Sequence, residues 1–204
     1  MKPPFRWAKR SPHAVRDISC ILTPPAPNRV YWEPFCGAAT NFFLWHHRLG
    51  RRVVLSDAHQ GVITVLKAIR DDPVLVSRAR KGLPSTSEFA KIAEWLRLTE
   101  APADLYQYFR VLQAVSIFHQ SYDAIRPQAG DLVYCDPPVW YGQAHEGPCV
   151  PFDGVAHAAL ARRVREWAEA GVVVGVSLAD TLEMRVLYQG LKVQKLRGEI
   201  LVVT

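Results

Sequence analysis

Along the 204-residue chain, short apolar runs of strand character alternate with stripes at helical spacing. Val30-Tyr31-Trp32 is a β-prone run closed by Glu33-Pro34, and Thr40 to Leu49 reads as a helix. Arg52 to Ser56 predicts a second strand, ended by Asp57. Gln60 to Ile69 follows, with apolar residues at Val62, Val65, Leu66 and Ile69 on one helical face. Residues 71–126 then lack any period-2 run. Two helices are predicted there, Ser87 to Leu98 with Ser87 as N-cap, and Ala103 to His119 with a stripe of Leu105, Tyr108, Leu112, Val115 and Ile117 or Phe118.

Alternation resumes with a strand at Asp131–Cys135, an amphipathic helix at Gly154–Glu169 and a wholly apolar strand at Val172–Ser177 suited to a parallel sheet centre. A helix over Asp180–Tyr188 precedes two strands, Leu191–Leu196 and Glu199–Thr204, expected to pair antiparallel across Arg197-Gly198. Thr23 to Pro27 is a stiff connector behind an N-terminal helix. The pattern predicts one α/β domain over 1–204. Its sheet is Rossmann-like, doubly wound and mostly parallel, with a C-terminal antiparallel hairpin and a helical insertion at 71–126.

Composition adds limits. A hydrophobic content of 49% supports a real core. No apolar run approaches the roughly 20 residues that cross a bilayer, and the basic start MKPPFRWAKR has no apolar stretch behind it, so a cytoplasmic location is expected. Cys20, Cys36, Cys135 and Cys149 form no C-x-x-C pair and read as free thiols. Trp32, Trp45, Trp95 and Trp167 fall on apolar stripes and are expected in the core, while His46-His47 with Arg48, Arg51 and Arg52 reads as a solvated edge. The net charge of +6 and a pI near 9.3 permit a polyanionic partner.

Three features stand at predicted strand ends, where ligands bind in open α/β sheets. Glu33-Pro34-Phe35-Cys36-Gly37-Ala38-Ala39 pairs an acidic residue with a small-residue turn. Its single glycine disfavours a dinucleotide cradle and an NAD-type oxidoreductase, whereas the acidic residue suits a cofactor with a cationic sulfonium and an amino-acid tail. Asp57 can accept from a ribose diol, or serve only as a helix cap. Asp136-Pro137-Pro138 denies the chain backbone donors and frees its carbonyls, so a carboxylate and a carbonyl could both accept from an exocyclic amine.

In this order, EPFCGAATNFF, VVLSDAHQ and DLVYCDPP resemble the Dam-type (alpha-group) DNA N6-adenine methyltransferases, with E-P-F-x-G-x-G first and D-P-P-Y last. Pro4 to Lys9 is similar to that family's F-x-K-W-x-G-G-K segment, VGVSLADT to its I-S-N-x-D-T strand, and EILVVT to its closing strand. The resemblance implies a methyltransferase fold, S-adenosyl-L-methionine as cofactor and methyl transfer to adenine N6 in DNA. By position, Trp7 and Lys9 would close over the cofactor, Glu33, Pro34, Phe35 and Gly37 would line its methionine end, and Asp57 its ribose. Asp136, Pro137 and Pro138 would hold the amine, Asp136 also bordering the cofactor. Asp136 in front of Pro-Pro favours adenine over cytosine N4, where serine is usual.

Several positions depart from the family. Val139 replaces the aromatic of D-P-P-Y, so Trp140 or Tyr141 would have to supply the ring that stacks on a flipped base. Ala8-Lys9 stands where the family carries two glycines before the lysine, Ala39 replaces the last glycine of the first motif, and the N-x-x-x-F-N-G segment of the target-recognition region is missing. DNA, with RNA as the other candidate polyanion, is expected to meet basic clusters at Arg6–Arg10 and Arg78–Lys81 flanking the cleft. The same departures support a second reading, a catalytically impaired member that serves as a nucleic-acid or protein-binding module.

Overall fold

The computed structural model describes residues 1, 3–5, 12–74, 76, 105–140, 152–196 and 199–204. Helix α1 (Pro12–Ile21) leads through the proline connector to β1 (Tyr31–Glu33) and α2 (Thr40–Trp45). Next come β2 (Val53–Asp57), α3 (Gln60–Asp71), α4 (Tyr106–Leu112) and β3 (Val115–His119). A 3-10 turn at Tyr122–Ala124 precedes β4 (Leu132–Cys135), α5 (Gly154–Glu169), β5 (Val173–Ala179) and α6 (Leu182–Leu187). The chain closes on β6 (Lys192–Lys195) and β7 (Glu199–Val203).

The strands form one seven-stranded sheet in the order β3-β2-β1-β4-β5-β7-β6. Pairing is parallel from β3 to β5 and antiparallel for β7 against both β5 and β6, as the hairpin pattern predicts. Strand order reverses between β1 and β4, which makes the space beyond their carboxyl ends the switch point where such sheets bind ligands. Side chains along β4 alternate between two cores. Leu132 and Tyr134 join one cluster with Phe43, Leu55 and Leu66, while Val133 and Cys135 join another with Leu160, Trp167, Val174 and Ile200. All four β4 residues are buried, because helices cover both faces of a central parallel strand.

One expectation is overturned. Val115–His119, predicted to continue a helix from Ala103, is instead the outer strand β3, in parallel register with β2 from Val53↔Val115 to Asp57↔His119. Val115 and Ile117 are buried and Ser116 and Phe118 exposed, the period of two that a half-covered edge strand needs. The span 71–126 is therefore not wholly helical, and the Ser87–Leu98 helix lies outside the described residues. Helix α2 also stops short of Leu49: the amides of Arg48 and Leu49 both turn back to the Trp45 carbonyl. Trp45 and Trp167 are core residues, while Trp32 is half-buried, with its Nε1 donating to Asp131 Oδ2 at 3.0 Å. Trp95 lies outside the described residues. His47, Arg48, Arg51 and Arg52 are exposed, as a solvated edge requires. Cys20, Cys36 and Cys135 are free thiols, and Cys149 lies outside the described residues. Among the described residues no helix is long and apolar enough to cross a membrane.

Candidate active site

At the switch point two carboxylates act first on the backbone. Glu33, at the end of β1, is 1% exposed, and its Oε2 accepts from the Tyr31 hydroxyl at 2.8 Å and the Phe42 amide at 3.1 Å. Expected by resemblance to line the methionine end of a cofactor, it is buried here and ties the end of β1 to α2 through the Phe42 amide. The signal was in the sequence: Glu33 is two residues from Tyr31 on a strand, and so shares the face of a core tyrosine. Burial beside this carboxylate raises the Tyr31 hydroxyl's pKa well above its ordinary value.

Asp57, at the end of β2, holds both neighbouring loops. Its Oδ2 accepts from the Gly37 amide at 2.9 Å and its Oδ1 from the His59 amide at 2.8 Å. Burial raises the Asp57 pKa, and the His59 and Gly37 amides pull it back. A carboxylate offers about four lone-pair sites, so two backbone donors leave room for a diol. Between the carboxylates, Cys36 N–H donates to the Ser56 carbonyl, and Gly37 (φ 48°) and Ala39 (φ 56°) are both left-handed. Glycine takes such angles freely and alanine at a penalty of about 1–2 kcal/mol. Ala39 therefore occupies, under strain, the place of the last glycine in the E-P-F-x-G-x-G motif it resembles. Pro34, Cys36, Gly37, Ala38 and Ala39 are buried and Phe35 partly so, a loop of small side chains folded tightly against the sheet.

This arrangement has acceptor capacity for a diol such as the ribose of S-adenosylmethionine. Asp57 retains acceptor capacity, and no side chain stands on Gly37. The corrected strand β3 adds residues that pattern reading missed. His119 pairs with Asp57 in register, its Nε2 lies 3.0 Å from the Ala58 carbonyl, and Gln120 N–H donates to the Asp57 carbonyl at 3.1 Å. The alternation V-S-I-F-H was the available signal.

Across the switch point, β4 ends at Cys135 and Asp136-Pro137-Pro138 begins. Burial, reinforced by the neighbouring Asp136 charge and that of Glu33, pushes the Cys135 thiol far up, so it is no nucleophile at neutral pH. The Pro138 carbonyl accepts from Nε2 of the buried His157, 3.1 Å away on α5. Val139 is exposed. The Trp140 ring lies over Gly154, 6.4 Å from the His157 ring, and so rests on the start of α5. Tyr141 lies outside the described residues, as do Trp7, Lys9 and the basic clusters Arg6–Arg10 and Arg78–Lys81.

Aromatic surface comes from Phe35 together with two residues that the sequence did not single out, Tyr122 and Phe152. Phe35 stacks on Tyr122 at 5.3 Å and meets Phe152 edge-on at 5.4 Å, and Phe152 meets His157 edge-on at 4.8 Å. Phe35, Tyr122, Phe152 and Trp140 are all partly buried against the second core. Tyr122 follows β3 and Phe152 precedes α5, so each is an isolated aromatic between elements, where periodicity gives no warning.

No family model and no curated protein sequence matches the chain. Among solved structures, two of the rRNA methyltransferase aviRa from Streptomyces viridochromogenes are similar. They are 16% and 17% identical over 93% of this chain and 81% of theirs, with TM-scores of 0.50 and 0.51. A ribosomal protein L11 methylase from Lactobacillus delbrueckii subsp. bulgaricus is 11% identical over 93% of this chain and 74% of its own, with a TM-score of 0.45. The likeness to the two Streptomyces structures shows the fold: a Rossmann-like α/β sheet of methyltransferase type, closed by an antiparallel hairpin.

Proposed function

We propose that the protein is an S-adenosylmethionine-dependent methyltransferase acting on the N6 amino group of adenine in DNA. The observation that carries this reading is the placement of Asp136-Pro137-Pro138 immediately after β4, across the strand-order switch from the Asp57-braced loop. S-adenosylmethionine, when bound, supplies an electrophilic methyl group. Asp57 accepts from the ribose hydroxyls, and the tightly folded loop 34–39 gives close approach to the rest. By resemblance, Trp7 and Lys9 close over it.

At the other end the Asp136 carboxylate and the Pro137 carbonyl accept the two N–H groups of the amine, since the Pro138 carbonyl is engaged by His157. Holding both hydrogens in one plane turns the nitrogen lone pair toward the incoming methyl, a positioning effect. The Asp136 carboxylate would steady the positive charge that develops on nitrogen as the methyl passes from sulfur to nitrogen, the sulfonium leaving as a neutral thioether and the surplus N–H proton passing to solvent. Phe35, Tyr122 and Phe152 offer the aromatic surface that Val139 cannot, and stacking on such rings is worth roughly 1–3 kcal/mol per base. The basic clusters Arg6–Arg10 and Arg78–Lys81 supply phosphate contacts.

Val139 favours one other reading, a binding module without turnover. Calorimetry with S-adenosylmethionine separates the two, since absence of binding removes the enzyme reading. With binding in hand, incubation with unmethylated DNA and then nucleoside mass spectrometry is expected to yield N6-methyladenine. Methyl on RNA alone, the substrate class that the name of the rRNA methyltransferase aviRa gives, would overturn the DNA assignment.

A further inference from the structure

His157 sits in the first half of α5 with 1% of its surface exposed, nineteen residues beyond the carbonyl its Nε2 meets. We propose that His157 is a positioning residue for the amine-holding turn: its Nε2–H, donated to the Pro138 carbonyl, fixes the plane in which Asp136 and Pro137 present their acceptors. This rests on the reading of residues 136–138 as the amine holder.

The chemistry of the turn creates the need. Prolines 137 and 138 have no N–H, so this stretch cannot tie itself down as donor, and only an external donor can hold its carbonyls. A carbonyl only accepts, so Nε2 carries the hydrogen and Nδ1 is the bare nitrogen of a neutral ring. That Nδ1 is buried and has no hydrogen-bond partner among the described residues. An unsatisfied buried acceptor costs about 1–3 kcal/mol. Phenylalanine would fill the same space without that loss but would offer no donor, so it is the single bond to Pro138 that distinguishes histidine here.

The ring is also held from its sides. Phe152 meets it edge-on at 4.8 Å, and Asp153 caps α5 by accepting from the Ala156 amide at 2.9 Å, which sets the helix start. A Cβ on Gly154 would come within 2.8 Å of the Trp140 ring. The glycine therefore lets Trp140 lie on the helix beside His157. Burial lowers the His157 pKa, which keeps the ring neutral and its single donor in place.

The test compares wild type with His157→Phe, which keeps the ring volume, and His157→Gln, which restores a side-chain N–H. Three quantities are read: S-adenosylmethionine affinity by calorimetry, and kcat and KM for methyl transfer to unmethylated DNA. We expect His157→Phe to bind the cofactor within about twofold of wild type yet lose roughly 10–100-fold in kcat, with a smaller change in KM. His157→Gln should recover part of the loss. Wild-type kcat in a folded His157→Phe protein, or parallel loss of cofactor affinity and kcat, would overturn the assignment. Should wild type methylate neither DNA nor RNA, it is the amine-holder reading that fails. Nitrogen-15 NMR of wild type then decides on the ring alone: a single tautomer protonated at Nε2 is expected, and a ring protonated at Nδ1 overturns it. The NMR experiment also decides if His157→Phe does not fold.

Discussion

The two sides of the switch point are built on opposite principles. On the β1–β2 side the chain supplies backbone N–H donors and carboxylates gather them: Glu33 takes the Phe42 amide, and Asp57 takes those of Gly37 and His59. On the β4 side two prolines remove the donors, and a histidine from α5 secures a carbonyl in their stead. The first side is stabilised from within, and Asp57, with two backbone donors on about four lone-pair sites, retains acceptor capacity. On the second side the two prolines contribute no N–H of their own, which suits the amine-holding role proposed for it. The proposed diol site and the proposed amine site thus differ in where their hydrogen bonds originate.

Substitutions on either side of the switch point should have opposite consequences. The largest effect belongs to Asp136→Ala, expected to lower methyl transfer on the order of 100-fold or more while leaving cofactor affinity near wild type. Asp57→Ala should do the reverse, weakening S-adenosylmethionine binding about 10-fold in calorimetry, with stability lost as two amides lose their acceptor. Glu33→Gln should act on stability, by roughly 1–3 kcal/mol. In a chain of this size each kcal/mol lowers Tm by about 2–4 °C, so a thermal melt reads it directly. Ala39→Gly should raise Tm, because glycine relieves about 1 kcal/mol of left-handed strain. An unchanged melt there would show that φ 56° carries no penalty.

The smallest effect is a pH dependence. The folded His157 pKa lies below its ordinary 6.5, so the unfolded chain binds the extra proton first as pH falls. His157 thus contributes stability above about pH 6.5 that is lost as the pH drops through the folded value. Chemical denaturation from pH 7.5 down to pH 5 should show a shallower decline for His157→Phe than for wild type, and equal slopes would contradict it.

Legibility in the sequence followed the local pattern. β4 and α5 stood out because one is uniformly apolar and the other regularly striped. β3 did not, because Val115 falls three residues after Leu112 and prolongs the α4 stripe; only its pairing with β2 makes it a strand. The positions of Asp57 and Asp136 at strand ends were readable. The inward turn of Glu33 needed the pleat of β1, and the meeting of Phe35, Tyr122 and Phe152 needed the whole sheet. Long-range contacts leave no mark on either neighbour's local sequence, and His157 on Pro138 is the clearest case.

The central claim is that the turn after β4 holds an adenine amine for methylation. Transfer of tritium from labelled S-adenosylmethionine to unmethylated DNA, measured side by side for wild type and Asp136→Ala, tests it most directly. Wild type is expected to label DNA, and the variant to give near-background counts at equal cofactor saturation. Equal counts from the two proteins would contradict it.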